Sequence, residues 1–205
     1  VVHTDRMRNP RIRGLAGLLT SLLTCVALTS GCGGDDEVPE PTASTPAGFD
    51  LPAGVKLTAP GTTVKVGKKA TFVYQLDDGV ASAVTAKVTA IDRGAIEDFA
   101  FFSLDADSKA STPYYVKVTL TNDGPAGLGG AAPPFVVHDD QNSIAPPNTV
   151  TGTFKPCENR SLPKTLLPGK SAEVCMVFLL PKGRTLVSID ARSADDAARA
   201  VRWKP

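Results

Sequence analysis

The chain has 205 residues, 42% of them hydrophobic and 21% charged, with a formal charge of +1. That is room for one globular domain with appendages. The near-neutral balance excludes the basic footprint of a nucleic-acid binder, and two histidines and four cysteines are too few for most metal or thiol sites.

The charge is unevenly placed. Residues 1–31 carry Arg6, Arg8, Arg11 and Arg13 against Asp5, whereas the rest carries 18 Lys and Arg against 20 Asp and Glu. The arginines precede an apolar run of 14 residues, Leu15 to Leu28. That length suits the apolar region of a signal peptide and falls short of the ~20 residues a membrane-spanning helix needs. Val1 and Met7, just ahead of the basic cluster, are both candidate starts.

The run ends in Leu28-Thr29-Ser30-Gly31-Cys32. We read this as a lipoprotein processing site. Ser30 and Gly31 are small enough for a signal peptidase cleft. Cleavage after Gly31 makes Cys32 the first mature residue, and its thiol takes a thioether-linked diacylglycerol. Thr29 departs from the leucine usual at that position. Each buried CH₂ contributes about 0.8 kcal/mol, so two or three acyl chains hold a protein durably at a membrane. The cysteine count agrees: once Cys25 leaves with the leader and Cys32 is acylated, Cys157 and Cys175 remain to pair as a disulfide.

Residues 32–54 read as a disordered tether. Pro39, Pro41, Pro46 and Pro52 block regular structure, and Asp35, Asp36 and Glu37 form a solvated acidic spacer rather than a metal cluster. Residues 55–205 form the folded domain.

Within it, short β-rich runs alternate with Gly, Pro and Asp turns. Strands are expected over 62–66 and 70–75, with Asp77-Asp78-Gly79 turning. The next, 83–91, places Val84, Ala86, Val88 and Ala90 on one face. Ile96, Phe99 and Phe102 fall at helical spacing, so a single helical turn is expected at 95–104, with Phe101 adding a further apolar contact. The clearest alternation runs from Tyr114 to Thr121: Tyr114, Val116, Val118 and Leu120 face one way, Tyr115, Lys117, Thr119 and Thr121 the other. Asn122-Asp123-Gly124-Pro125 ends it, and 126–134 reads as a mobile loop. Further strands are expected at 135–138, 149–154, 172–180, 185–189 and 200–203. Residues 172–180 are apolar on both faces, which suggests a central strand covered on both sides. Phe72, Tyr74, Phe102, Val118 and Phe178 are expected to fill the core. The result is an all-β fold: an antiparallel Ig-like β-sandwich of about eight strands, preceded by a signal-peptide helix and the tether.

Several of these segments form an ordered set: Tyr115-Val116-Lys117-Val118-Thr119-Leu120-Thr121-Asn122, Phe135-Val136-Val137, Leu167-Pro168-Gly169-Lys170-Ser171-Ala172-Glu173, Val177-Phe178-Leu179-Leu180-Pro181-Lys182-Gly183, and the terminal Arg202-Trp203. In this order the chain resembles, over about residues 60–204, the actinobacterial and related lipoproteins with a DUF4352-type, Ig-like immunoprotective extracellular domain. The resemblance implies an antiparallel sandwich and a cell-surface location, and it carries over no catalytic residues.

A search for chemistry finds little. His138, beside Asp139 and Asp140, could seed a hydrolase dyad or a metal site. No Gly-x-Ser-x-Gly elbow accompanies it, and a surface histidine at a strand end is expected. Asp77-Asp78, Asp105-x-Asp107 and Asp139-Asp140 fit turns better than calcium loops. There is no P-loop and no dinucleotide fingerprint. The expected protein is therefore not an enzyme and has no catalytic residue, no metal and no cofactor. It is held by lipid at the outer face of the cell membrane. There it acts as a binding module for a protein or cell-envelope component, with no nucleic-acid partner. The alternative is an extracytoplasmic small-ligand or ion carrier, or an enzyme with an unrecognised site.

Overall fold

Two-residue alternation buries one face of a strand, and two such sheets must bury their apolar faces against each other. That is the architecture of the computed structural model, which describes residues 43, 45–77, 80–193 and 199–205. These belong to one compact unit, Pro39–Pro205. The leader, Gly31 and Cys32 lie outside the described residues, as do Asp35, Asp36, Glu37 and Asp78.

Nine strands are described. They are β1 (Thr63–Lys65), β2 (Lys69–Asp77), β3 (Val80–Arg93), β4 (Thr112–Asn122), β5 (Phe135–Asp139), β6 (Ile144–Ala145), β7 (Ser171–Leu180), β8 (Leu186–Ala191) and β9 (Arg202–Lys204). One sheet runs β2-β3-β4-β7, all antiparallel; the other runs β1-β9-β8-β5-β6, with only β1–β9 parallel. This is the expected antiparallel sandwich.

The core between the sheets takes Phe72 from β2, Val84, Ala86 and Val88 from β3, Val116, Val118 and Leu120 from β4, and Val174, Met176, Phe178 and Leu180 from β7. Phe135, Val137, Ile189 and Trp203 face them from the other sheet. Phe72, Phe135 and Trp203 meet edge to face, with centroids 6.0–6.5 Å apart. The Trp203 indole N–H donates to the Lys68 carbonyl at 2.9 Å, so its one polar atom is satisfied at full burial.

Several local expectations change. The register shifts between Val88 and Ala90. Ala90 therefore sits opposite Lys117, and Ile91, opposite Val116, packs against the core instead. An extra residue in one strand of an antiparallel pair reverses every later side chain. Residues 149–154 form no strand, whereas β6 does, and a short helix α1 (Ala106–Ala110) follows the expected turn, a 3₁₀ turn at Ile96–Phe99. Strand β7 is covered on both faces but stands at the sheet edge, not its centre.

The loop 126–134 is pinned rather than loose. Leu128 is fully buried in the core, its N–H bonds to the Leu166 carbonyl, and the Gly130 N–H bonds to Pro163. Buried Asn122 organises the entry. Its amide donates to the Ala126 and Leu166 carbonyls, and its carbonyl accepts from Ser82 Oγ at 2.7 Å. A Cβ on Gly124 would lie 2.2 Å from the Ala83 backbone nitrogen, so only glycine passes there.

Thr58 lies against the free edge of β2. The Thr58 N–H donates to the Thr71 carbonyl, and the Thr71 N–H donates to Thr58 Oγ1. Further back, turns close at Pro46–Phe49 and Pro52–Val55. Among the described residues no helix is long and apolar enough to cross a membrane.

Candidate interaction surface

The outer face of the four-stranded sheet carries a second apolar cluster. Tyr115 of β4 and Cys175 and Val177 of β7 point outward beneath Phe99, Phe154 and Cys157. Phe102, expected in the core, packs here against Phe99 and Phe154, with centroids 5.8 and 5.6 Å away. Phe154 also stacks on Phe99 at 4.6 Å and meets Tyr115 edge to face at 5.6 Å. The Tyr115 hydroxyl donates to Asp98 at 2.7 Å, tying the 3₁₀ turn to the sheet. Burial, reinforced by the neighbouring Asp98 carboxylate, pushes the Tyr115 phenol well above its ordinary value.

Loop 146–161 is fastened in three ways. Cys157 and Cys175 form the expected disulfide. Three bonds cover the free edge of β7: the Asn148 N–H donates to the Val177 carbonyl, the Leu179 N–H to Asn148 Oδ1, and the Cys175 N–H to the Asn159 carbonyl. Arg160 then gathers the loop from within, donating to the carbonyls of Val150, Cys157 and Gly152. A guanidinium has five donors in a fixed fork, which suits it to clamp an irregular backbone. Arg160 escaped the sequence reading because a loop carbonyl carries no residue signature.

This loop forms one wall of an open cleft of about 710 Å³. Ala131, Ala132 and Pro133 form the opposite wall. Asn148, Thr149, Thr153 and Ser161 bring polar groups, and Arg192 stands exposed at the margin. The buried Phe135 and Phe154 close the floor.

His138 lies elsewhere, on the outer face of the five-stranded sheet, and is half-buried rather than a free surface residue. Its Nδ1 is 3.5 Å from Asp190, and its Nε2 is 2.8 Å from the Asn142 side-chain oxygen. Asp190 is the partner that sequence reading missed. It also accepts from Ser188 Oγ at 2.6 Å and Arg202 Nε at 3.1 Å, with its side chain only 2% exposed. Ser188 thus donates to the carboxylate and the imidazole is held at both nitrogens, which is not the nucleophile–base arrangement of a Ser-His-Asp triad.

The neighbouring acids do structural work. Asp139 accepts from Arg184 and from the Gln141 and Ser143 amides. Burial alone would raise its carboxyl. The bond from Arg184 and those two amides outweigh this and hold it below the usual range. Asp140 binds Thr185, and Asp105 caps α1 through the Ser108 N–H. That amide bond holds the Asp105 carboxyl below its ordinary value. No group of three or more His, Cys, Asp or Glu placed to hold a metal occurs among the described residues. The buried polar side-chain atoms there all have partners.

No protein-family model matches the chain, and no curated protein sequence is similar to it. Among solved structures, the chain is similar to MPT63, a secreted protein from Mycobacterium tuberculosis. The TM-score is 0.43 at 13% identity, covering 72% of this chain and 100% of that one. The fold assignment stands on the chain's own two sheets.

Proposed function

We propose that the chain is an extracytoplasmic lipoprotein, anchored through Cys32, whose sandwich serves as a non-catalytic binding module at the cell surface. The observation that carries this is the fastened loop 146–161. The Cys157–Cys175 bridge and the Arg160 clamp turn an irregular segment into a fixed cleft wall. A structural disulfide belongs to an oxidising compartment. The leader and the Leu28–Cys32 site address the chain to the same place. Its motifs resemble those of the DUF4352-type lipoproteins, and the partner of the binding module would be a protein or a cell-envelope component.

A small-ligand carrier is the second reading. The cleft volume supports it, since it lies within the ~300–1,000 Å³ common for small-molecule sites.

The test is labelling of intact cells with a membrane-impermeant, amine-reactive biotin reagent. The mature domain is expected to label without lysis, and Cys32→Ser to release it from the membrane fraction. Labelling only after lysis would overturn the reading.

A further inference from the structure

Two pairs of lysines stand directly opposite each other across neighbouring strands. Lys69 of β2 is paired with Lys87 of β3, and Lys65 of β1 with Lys204 of β9. The turn between β1 and β2 brings both pairs to one corner of the sandwich. The Lys68 N–H closes that turn on the Lys65 carbonyl at 3.1 Å, and Lys68 itself is exposed. Like charges directly opposite on a sheet destabilise it. No carboxylate offsets the repulsion. None of these five lysines has an ion-pair partner among the described residues, and residues 51–76 contain no Asp or Glu. Protection of sheet edges accounts for lysines on β1 and β2. It does not account for Lys87 and Lys204, because β3 and β9 are interior strands.

On the outer face of the four-stranded sheet the lysine row runs Lys69, Lys87, Thr119, Glu173, with its one carboxylate at the far side. Beside it Thr71, Thr85, Thr121 and Ser171 stand in register across all four strands. Thr71 and Thr85 bond each other at 2.7 Å, and Thr121 and Ser171 at 2.8 Å. Each such bond uses one hydroxyl hydrogen of two, so donors and lone pairs remain for a ligand. The exposed large apolar side chains, Leu51, Val80, Phe101, Ile144 and Leu167, belong to neither row nor to the turn. Phe101, expected to add an apolar contact beside Phe99 and Phe102, is fully exposed. A protein interface has an apolar core with aromatic anchors, and single-stranded nucleic acid is held on stacking platforms. This corner has neither. Positive charge beside hydroxyls is the complement of an acidic sugar polymer.

Lipid headgroups are also anionic, but the chain enters the fold at the other end of β2. Pro46 and Asp50 share a surface hollow with Gln75 and Val80. That is about 20 Å along the strand from Lys69. An anchor upstream of this entry holds the Gln75 end toward the bilayer and turns the lysine corner outward.

We propose that this corner docks an acidic polysaccharide of the cell envelope. The lysines take its anionic groups, and the hydroxyl row takes its sugar hydroxyls. This rests on the binding-module reading and names its partner. The surface is separate from the 710 Å³ cleft, so failure here leaves the result of intact-cell labelling unaffected.

The experiment is fluorescence anisotropy on the full chain in neutral detergent. A labelled oligogalacturonate of about twelve sugars is expected to bind, with affinity falling as salt rises. Neutral dextran, polyglutamate and oligothymidine of the same length are each expected to bind at least about ten-fold more weakly. The double variant Lys69→Gln, Lys87→Gln is expected to weaken oligogalacturonate about ten-fold while the melting temperature holds or rises, because a like-charge pair is removed. Thr85→Val is expected to weaken it by a smaller factor. Undiminished binding by the double variant, or a fall in its melting temperature, would overturn the proposal. So would equal binding of dextran, polyglutamate or oligothymidine, or binding to phosphatidylglycerol vesicles that depends on Lys69 and Lys87.

Discussion

The two faces of the four-stranded sheet are buried by different means. The inner face meets a second sheet, and its cover is built from strands. The outer face meets a 3₁₀ turn and the loop 146–161, and its cover is held by a disulfide, a capped strand edge and one arginine. Strand-built cover is cooperative with the whole fold. Loop-built cover depends on a few discrete fastenings, so it is the part that can open, and be lost, while the sandwich stands.

Trp203→Ala tests the inner side of this contrast and should have the largest effect. Removing a fully buried indole that meets Phe72 and Phe135 is expected to cost about 3–5 kcal/mol, read by urea denaturation. The loss should be global, with all probes unfolding together. Replacing both Cys157 and Cys175 with Ala should cost about 3 kcal/mol on the chain-entropy account. Here the loss should be graded: hydrogen exchange should quicken over 146–161 well before it quickens in β4. Simultaneous loss of protection in both regions would erase the proposed difference between the two faces.

Tyr115→Phe is a smaller perturbation, confined to the outer face. It removes the bond to Asp98 and should cost about 1 kcal/mol. It should also change the alkaline limb. Because the native phenol holds its proton more tightly than the unfolded one, its contribution is complete below about pH 10 and fades as pH rises toward the native value. Stability of Tyr115→Phe should therefore fall less steeply above pH ~10.

The acid limb has the opposite sign. The Asp139 and Asp105 carboxyls are held low in the native state, so their contribution is complete above about pH 4 and is lost as pH falls through the native values. Arg184→Ala removes the strongest partner of Asp139 and should flatten that loss.

What could be read from the residues follows the same division. β4 was legible because its alternation repeats over eight residues and both faces keep one character. The disulfide was legible once the leader and Cys32 were set aside, because an exported chain then keeps one pair of cysteines. The edge position of β7 was not, because a loop packed on its outer face leaves the same doubly apolar run as a central strand. The Val88/Ala90 shift left no mark either, since alanine fits both faces. Asp190 was hidden because its partners, His138, Ser188 and Arg202, come together only through the pairing of β5, β8 and β9. Leu162 and Leu166 lie between strands, where no alternation marks a buried side chain, yet both enter the core.

The most direct measurement is mass spectrometry of the mature N-terminus isolated from membranes. A chain that begins at Cys32 and carries the mass of a thioether-linked diacylglycerol is the predicted result. A free, unacylated N-terminus at any other residue would contradict the account.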